Sequence, residues 1–265
     1  MGILNVTPDS FSDGGKFAVR DAALAHALAM IDAGAGIIDI GGESTRPGAA
    51  DVDEADEIRR VVPVIEALAR RTEVPISVDT SKPGVMRAAL AAGASVINDV
   101  RALTERGALE IAAASDAAIC LMHMQGEPRS MQHDPVYEDV VREVRDCLHD
   151  RMRACVAAGI ASDRIVLDPG IGFGKRLEHN LDLLAHLPSL LALGRPVLIG
   201  VSRKSMFGAL LGRPLERRLA GGLAIATASV LAGASILRAH DVAETVDAVK
   251  VAAALRAAGY RGESR

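Results

Sequence analysis

Eight short apolar runs recur along the chain. A longer Ala- and Leu-rich stretch of helical period follows each, and this alternation constrains the fold more than any other feature. The runs predict strands over about 2–6, 36–40, 75–79, 95–99, 118–123, 165–168, 197–201 and 235–239. The intervals predict helices over roughly 19–33, 52–71, 83–92, 107–114, 136–158, 178–193, 216–232 and 242–257. Exits such as AGAG, AAGAS and AGAS suit glycine caps that turn a helix into the next strand. The strands read as continuous apolar stretches without alternation, the pattern of a parallel sheet covered on both faces. Eight such units in 265 residues, with no linker and no break in composition, predict an α/β chain folded as a single-domain (β/α)₈ TIM barrel over residues 1–265. The competing architecture is a doubly wound open sheet, and no GxGxxG follows the first strand to favour it.

A formal net charge of −4 argues against a nucleic-acid-binding surface. No apolar run reaches the roughly 18 residues that span a bilayer, and no signal peptide precedes the first strand, which reads as a cytoplasmic protein. Cys120, Cys147 and Cys155 lack CxxC or Cys/His spacing and read as small apolar residues in a reducing cytosol. The chain has no Trp, two Tyr and four Phe, so Ala, Val, Leu and Ile must build the core. All four phenylalanines, Phe11, Phe17, Phe173 and Phe207, fall in connecting stretches, where they either pack under loops or cover a flat ligand.

Polar residues stand at or just beyond every strand's C-terminal end. In order they are Asn5, Asp39 with Glu43, Asp79, Asn98 with Asp99, His123, Asp168, Ser202 with Lys204, and Arg238 with His240. One such residue is usually a cap or a turn former. Eight converging on one barrel mouth indicate a site. Asp79, Asn98, Asp168 and Lys204 are donors and acceptors suited to a heterocycle edge, and a carboxylate such as Asp168 can take two parallel N–H bonds from a 2-amino-pyrimidinone. Asn5, Arg46, Arg238 and His240, near glycine-rich turns and helix starts, suit an anion. No Ser-His-Asp ordering, HExxH or Walker A loop is present, which sets aside acyl transfer, zinc proteolysis and nucleotide hydrolysis.

The stretches GILNVTPDSFSDGG, IDIGGESTRPGA, ISVDTSK, INDV, LMHMQGEP, DPGIGFGK, GVSRKS and LRAHDV resemble the dihydropteroate synthase family, in order and across essentially the whole chain. The resemblance implies condensation of 6-hydroxymethyl-7,8-dihydropterin pyrophosphate with 4-aminobenzoate, giving 7,8-dihydropteroate and pyrophosphate in folate synthesis, with sulfonamides as competitive inhibitors. It implies a pterin pocket of Asp79, Asn98, Met122, Asp168, Phe173, Gly200, Lys204 and Arg238. It implies a pyrophosphate clamp of Asn5, Arg46, Arg238 and His240, with Mg²⁺ at Asn5. Phe11, Thr45, Pro47, Phe173 and Ser205 match the family's 4-aminobenzoate and lid positions, Ser205 opening the helix after the seventh strand. Lys204, Arg238, Asp79 and Arg46 are the implied catalytic set, and a homodimer through helices near the C-terminus is implied as well. Family members usually carry a short segment before the first strand, so the start at Met1 reads as a trimmed boundary.

Nothing in this set is an obvious base for the weakly nucleophilic arylamine. The expected mechanism is therefore dissociative, with Mg²⁺ and the cationic residues neutralising the leaving pyrophosphate. The polar segments 7–17 and 42–50 are expected to close over the resulting cation and exclude water. A corrinoid-dependent methyltransferase barrel would share the Asp/Asn pterin edge but has no use for Arg46, Arg238 and His240. A catalytically silent pterin-binding relative is the other alternative.

Overall fold

The computed structural model describes residues 1–7, 16–44, 51–127 and 130–260, without the side chains of 16–19. Strands β1 (Gly2–Asn5), β2 (Ile38–Gly41), β3 (Ile76–Asp79), β4 (Val96–Asp99), β5 (Ala118–Met122) and β6 (Ile165–Asp168) pair in parallel and in sequence order. β7 (Leu198–Gly200) and β8 (Ile236–Arg238) form a second parallel pair. Bridges Leu167–Val197 and Gly2–Ala239 join the two sets, and the bonds from Leu167 N to the Pro196 carbonyl (2.9 Å) and from Ile3 N to the Ala239 carbonyl (3.0 Å) complete the ring. The result is an eight-stranded parallel barrel, the predicted architecture.

Helices α1 (Lys16–Asp32), α2 (Glu54–Ala69), α3 (Pro83–Ala91), α4 (Ala108–Ala113), α5 (Val140–Ala157), α6 (Leu177–Ala185), α7 (Leu187–Leu191), α8 (Met206–Leu211), α9 (Leu219–Ala232) and α10 (Val242–Ala257) complete the succession. The helix predicted over 178–193 is broken at His186. Pro188 in the first turn of α7 lacks the amide that an unbroken helix would need there. α8, which adds a turn between β7 and α9, is the short helix that Ser205 opens, as the family resemblance implies, whereas periodicity alone predicts no helix there before 216. It carries Phe207, a core residue 2% exposed and no ligand cover.

Strand pairing settles which side chains face inward. The registers align Ile3 with Asp39, Asp39 with Ser77, Asp79 with Asn98, Asn98 with Cys120, Met122 with Asp168, and Gly200 with Arg238. All of these share the interior face, because alternate residues of a strand point the same way. The opposite face is apolar apart from Asp99 at the end of β4: Leu4, Ile40, Val78, Ile97, Ile119, Leu121, Leu167 and Ile199 are buried under the helices. Each such residue contributes on the order of 1.5–3 kcal/mol by leaving water. The alternation that the sequence hides is therefore real, with hydrocarbon outside and a mixed polar layer inside.

Candidate active site

The interior layer nearest the strands' C-terminal ends is charged. Arg238 donates from Nε to Asp39 Oδ2 and from Nη2 to Asp79 Oδ2, both at 2.6 Å. Asn98 Nδ2 donates to the same Asp39 oxygen at 3.0 Å, which leaves the Asn98 carbonyl oxygen as an acceptor. Burial raises the Asp79 carboxyl to about 7, against the pull of Arg238 and with the push of Asp39. Burial works against the Arg238 charge, yet the two flanking carboxylates hold its pKa above the ordinary value. Gly41 keeps this floor open: a Cβ there would stand 3.6 Å from the Asp79 Cβ and 3.9 Å from Asn5 Oδ1.

Across the barrel, β6 ends in the loop 168–175. Asp168 Oδ1 accepts from Gly170 N at 2.7 Å, so the carboxylate forms its own turn. Its other oxygen has no role in that turn. Burial raises the Asp168 carboxyl, opposed chiefly by Lys204. Lys204, lowered to about 8 by burial against the attraction of Asp168, donates to the Ile171 carbonyl and lies 4.6 Å from the Phe173 ring centre. A Cβ on Gly172 would stand 3.0 Å from Lys204 Cδ, so the lysine stem lies along the glycine backbone. Met122, 4% exposed, and Asn98, 5% exposed, line the barrel between these two sides.

At the seam between β7 and β8, His240 Nδ1 lies 3.0 Å from Ser202 Oγ, and the His240 amide donates to the same oxygen at 3.1 Å. Asp241 pairs with Arg203, not with Arg238. Ser205 is the N-cap of α8, and its exposed side chain makes no capping bond. Gly200 faces Arg238, where a Cβ would stand 3.8 Å from that of the arginine. Asn5 ends β1 on the interior face. Phe11, Thr45, Arg46 and Pro47 lie outside the described residues, as do most of the two expected lid segments.

Three groups have no counterpart in the roles read from sequence. Asp39 was visible only as a strand-end acid, and its partners lie 59 and 199 residues away. Lys82 is held by Glu43 Oε2 (2.7 Å) and the fully buried Glu57 Oε2 (2.6 Å), fastening the end of β2 to α2 and α3. Lys175, the last residue of DPGIGFGK, is 3% exposed and points into the protein against His123. Its signal was a lysine at the end of a glycine run, which equally describes a solvated side chain. Among the described residues no group of three or more His, Cys, Asp or Glu could hold a metal ion, and no helix is long and apolar enough to cross a membrane.

Comparison with known proteins agrees with this geometry. The family described as pterin binding enzyme matches residues 1–240. The dihydropteroate synthase of Escherichia coli (strain K12) is 55% identical over 251 residues, covering 95% of this chain and 89% of that protein. The Yersinia pestis dihydropteroate synthase in a sulfonamide drug complex superimposes with a TM-score of 0.92 at 54% identity, covering 97% of this chain and 94% of that one. The Xanthomonas albilineans dihydropteroate synthase with 4-aminobenzoic acid also gives 0.92, at 53% identity, covering 97% and 92%. With the barrel, the interior Asp–Asn–Arg layer and these likenesses together, the chain belongs to the pterin binding enzyme family, in its dihydropteroate synthase branch of folate-synthesis transferases.

Proposed function

We propose that residues 1–265 act as one barrel domain that condenses 6-hydroxymethyl-7,8-dihydropterin pyrophosphate with 4-aminobenzoate by a dissociative route. The single observation that supports it best is the common inward face of Asp79, Asn98, Asp168 and Arg238. The pterin's amino-pyrimidinone edge meets the Asp168 carboxylate, with Lys204 donating to its carbonyl and Asn98 and Asp79 accepting ring N–H groups. Met122, Phe173 and Gly200 form the walls. Arg238, with Arg46, His240 and Asn5, faces the pyrophosphate, and its planar guanidinium also stacks on the pterin.

Asn5 offers one neutral oxygen, and among the described residues no group of three or more His, Cys, Asp or Glu stands ready for a metal ion. That donor set fits Mg²⁺, which commonly keeps its waters and binds substrate phosphates. When bound, the ion would neutralise charge on the leaving group. The chain's own residues do the rest. The methylene C–O bond breaks with its electron pair passing to pyrophosphate, whose negative charge Arg238, Arg46 and His240 stabilise. The cation left behind is conjugated with the pterin, and the Asp79 and Asp168 carboxylates favour it. The arylamine lone pair then forms the C–N bond beside Phe173 and Ser205, with Phe11, Thr45 and Pro47, and the amine's proton leaves to solvent.

Sulfonamides, as 4-aminobenzoate analogues, would compete at that second site. The exposed Leu210, Leu211 and Leu215 near α8, with Val251 and Leu255 of α10, support a homodimer through the C-terminal helices. The free thiols of Cys120, Cys147 and Cys155 suit a reducing cytoplasm.

The activity test is pyrophosphate release from the pterin substrate, 4-aminobenzoate and Mg²⁺; no release would leave a silent binding protein. The mechanism is tested with ring-substituted anilines in single-turnover reactions. A dissociative step gives rates nearly independent of amine basicity, whereas a steep increase with basicity would mean direct displacement.

A further inference from the structure

We propose that Lys175 is a positioning residue for the pterin pocket, a cross-link that locks the loops after β5 and β6 into one rigid floor. The proposal rests on the pterin reading of Asp168 and Lys204. The Lys175 Nζ lies 2.9 Å from His123 Nδ1 and within 3.3 Å of the His123 carbonyl, 3.1 Å of the Gly170 carbonyl and 3.0 Å of the Phe173 carbonyl. Two of these acceptors belong to the residue that follows Met122, and two belong to the loop that follows Asp168.

The two loops approach so closely that side chains are excluded between them. A Cβ on Gly170 would stand 1.9 Å from the His123 carbonyl oxygen, and one on Gly174 would stand 2.3 Å from that of Gln125. Among the described residues the Gly170 carbonyl takes the Phe173 amide at 3.0 Å, whereas the His123 and Phe173 carbonyls take no backbone amide, and buried carbonyls without donors are costly. The lysine supplies the donors. Its bonds fix the Gly170 and Phe173 carbonyls, which bracket the Ile171 carbonyl that receives Lys204. They also fix Gly170, whose amide orients Asp168 Oδ1. Asp168 Oδ1 and Lys204 are thus bonded by peptides that directly adjoin the Gly170–Ile171 peptide Lys175 holds.

Burial lowers the Lys175 ammonium to about 7, against the attraction of Asp168, while burial and Lys175 push His123 down to about 3. The cross-link survives either protonation state. The ammonium gives three N–H groups with Nδ1 as an acceptor, and the amine gives two while accepting from an Nδ1–H tautomer.

The experiment titrates Lys175→Met with a pterin analogue lacking pyrophosphate and, separately, with inorganic pyrophosphate and Mg²⁺. A positioning role weakens the pterin analogue at least tenfold and leaves pyrophosphate within twofold, because Asn5 and Arg238 stand on β1 and β8. Pterin affinity within twofold of the wild type, or equal loss of both ligands, overturns it. Lys175→Gln, whose amide keeps two donors on a shorter stem, should fall between Met and wild type. If the Met variant does not fold, the Gln variant decides on the same criteria. Asp168→Asn, measured alongside, separates the two readings: if it binds the pterin analogue normally, the pocket assignment fails, whatever Lys175 does.

Discussion

Asp79 carries two demands that conflict at neutral pH. Buried, it is pushed up to about 7, yet it must be ionised to pair with Arg238 as a charge and, in the proposed role, to give a pterin N–H a charged acceptor. Lys204, pulled down to about 8 by the same lack of solvent, must be protonated to act as a charged donor. The signs follow directly. Below about pH 7 Asp79 gains a proton and loses its negative charge, and above about pH 8 Lys204 loses its proton and its positive charge. Pterin-analogue affinity should therefore peak between the two, falling up to tenfold per pH unit on each side, in titrations from pH 5.5 to 9.5. Asp79→Asn should flatten the acid limb and Lys204→Met the alkaline limb. An acid limb that persists in Asp79→Asn would assign it to another group. The residue types were legible in the sequence, since a carboxylate abutting Val78 or Leu167 at a strand end points to the mouth. The partners were not. Arg238 lies near Asp241 and Glu244 in sequence, yet it bonds Asp39 and Asp79, because strand pairing closes a ring across 199 and 159 residues.

Between residue and barrel stand the loops and helices, and glycines show which of these are packed against backbone. Gly170 and Gly159 share a left-handed backbone, φ +67° and φ +97°. An alanine costs about 1–2 kcal/mol in that region wherever it stands. A Cβ at Gly159, after α5, meets nothing within 4 Å, whereas at Gly170 it meets the His123 carbonyl. Gly159→Ala should thus lose about 1 kcal/mol in urea unfolding, and Gly170→Ala at least about 3 kcal/mol with weakened pterin binding. Equal losses would mean that the two loops separate freely. The sequence places a glycine run here but cannot tell an open turn from a backbone contact, because the contact belongs to another element. The break at Pro188 was legible on local grounds, since proline removes an amide, but the surrounding Leu and Ala carried the helical period straight across it. The short α8 lacks the length that makes periodicity informative, whereas α4, equally short, falls inside the helix predicted over 107–114.

In the whole molecule the substrates divide the ring. Strands β3 to β7 carry most of the groups read as meeting the pterin, β8 carries Arg238, read as meeting both pterin and pyrophosphate, and His240 after β8 and Asn5 on β1 are read as facing the pyrophosphate. Only Phe173 and Ser205 among the described residues are assigned to 4-aminobenzoate, and the rest of that set, Phe11, Thr45 and Pro47, belongs to chain after β1 and β2. Eight repeats made the closed ring legible in advance, since each strand needs a neighbour on both sides and the repeat supplies them without a linker. The division of labour around it follows from strand order. One consequence is a coupling between sites. In sequence Arg46 stands between Thr45 and Pro47, so under the proposed roles a pyrophosphate that engages the arginine would also place its neighbours, and the second pocket would gain its walls only then. The 4-aminobenzoate should bind at least tenfold more tightly with a pterin, pyrophosphate and Mg²⁺ present than without them, a coupling of about 1.4 kcal/mol or more. By linkage it must tighten pyrophosphate by the same factor. Calorimetric titration in both directions measures the two factors independently. Arg46→Ala should abolish the coupling while leaving pterin-analogue affinity intact, and equal 4-aminobenzoate affinity in the two conditions would mean a second site formed in advance.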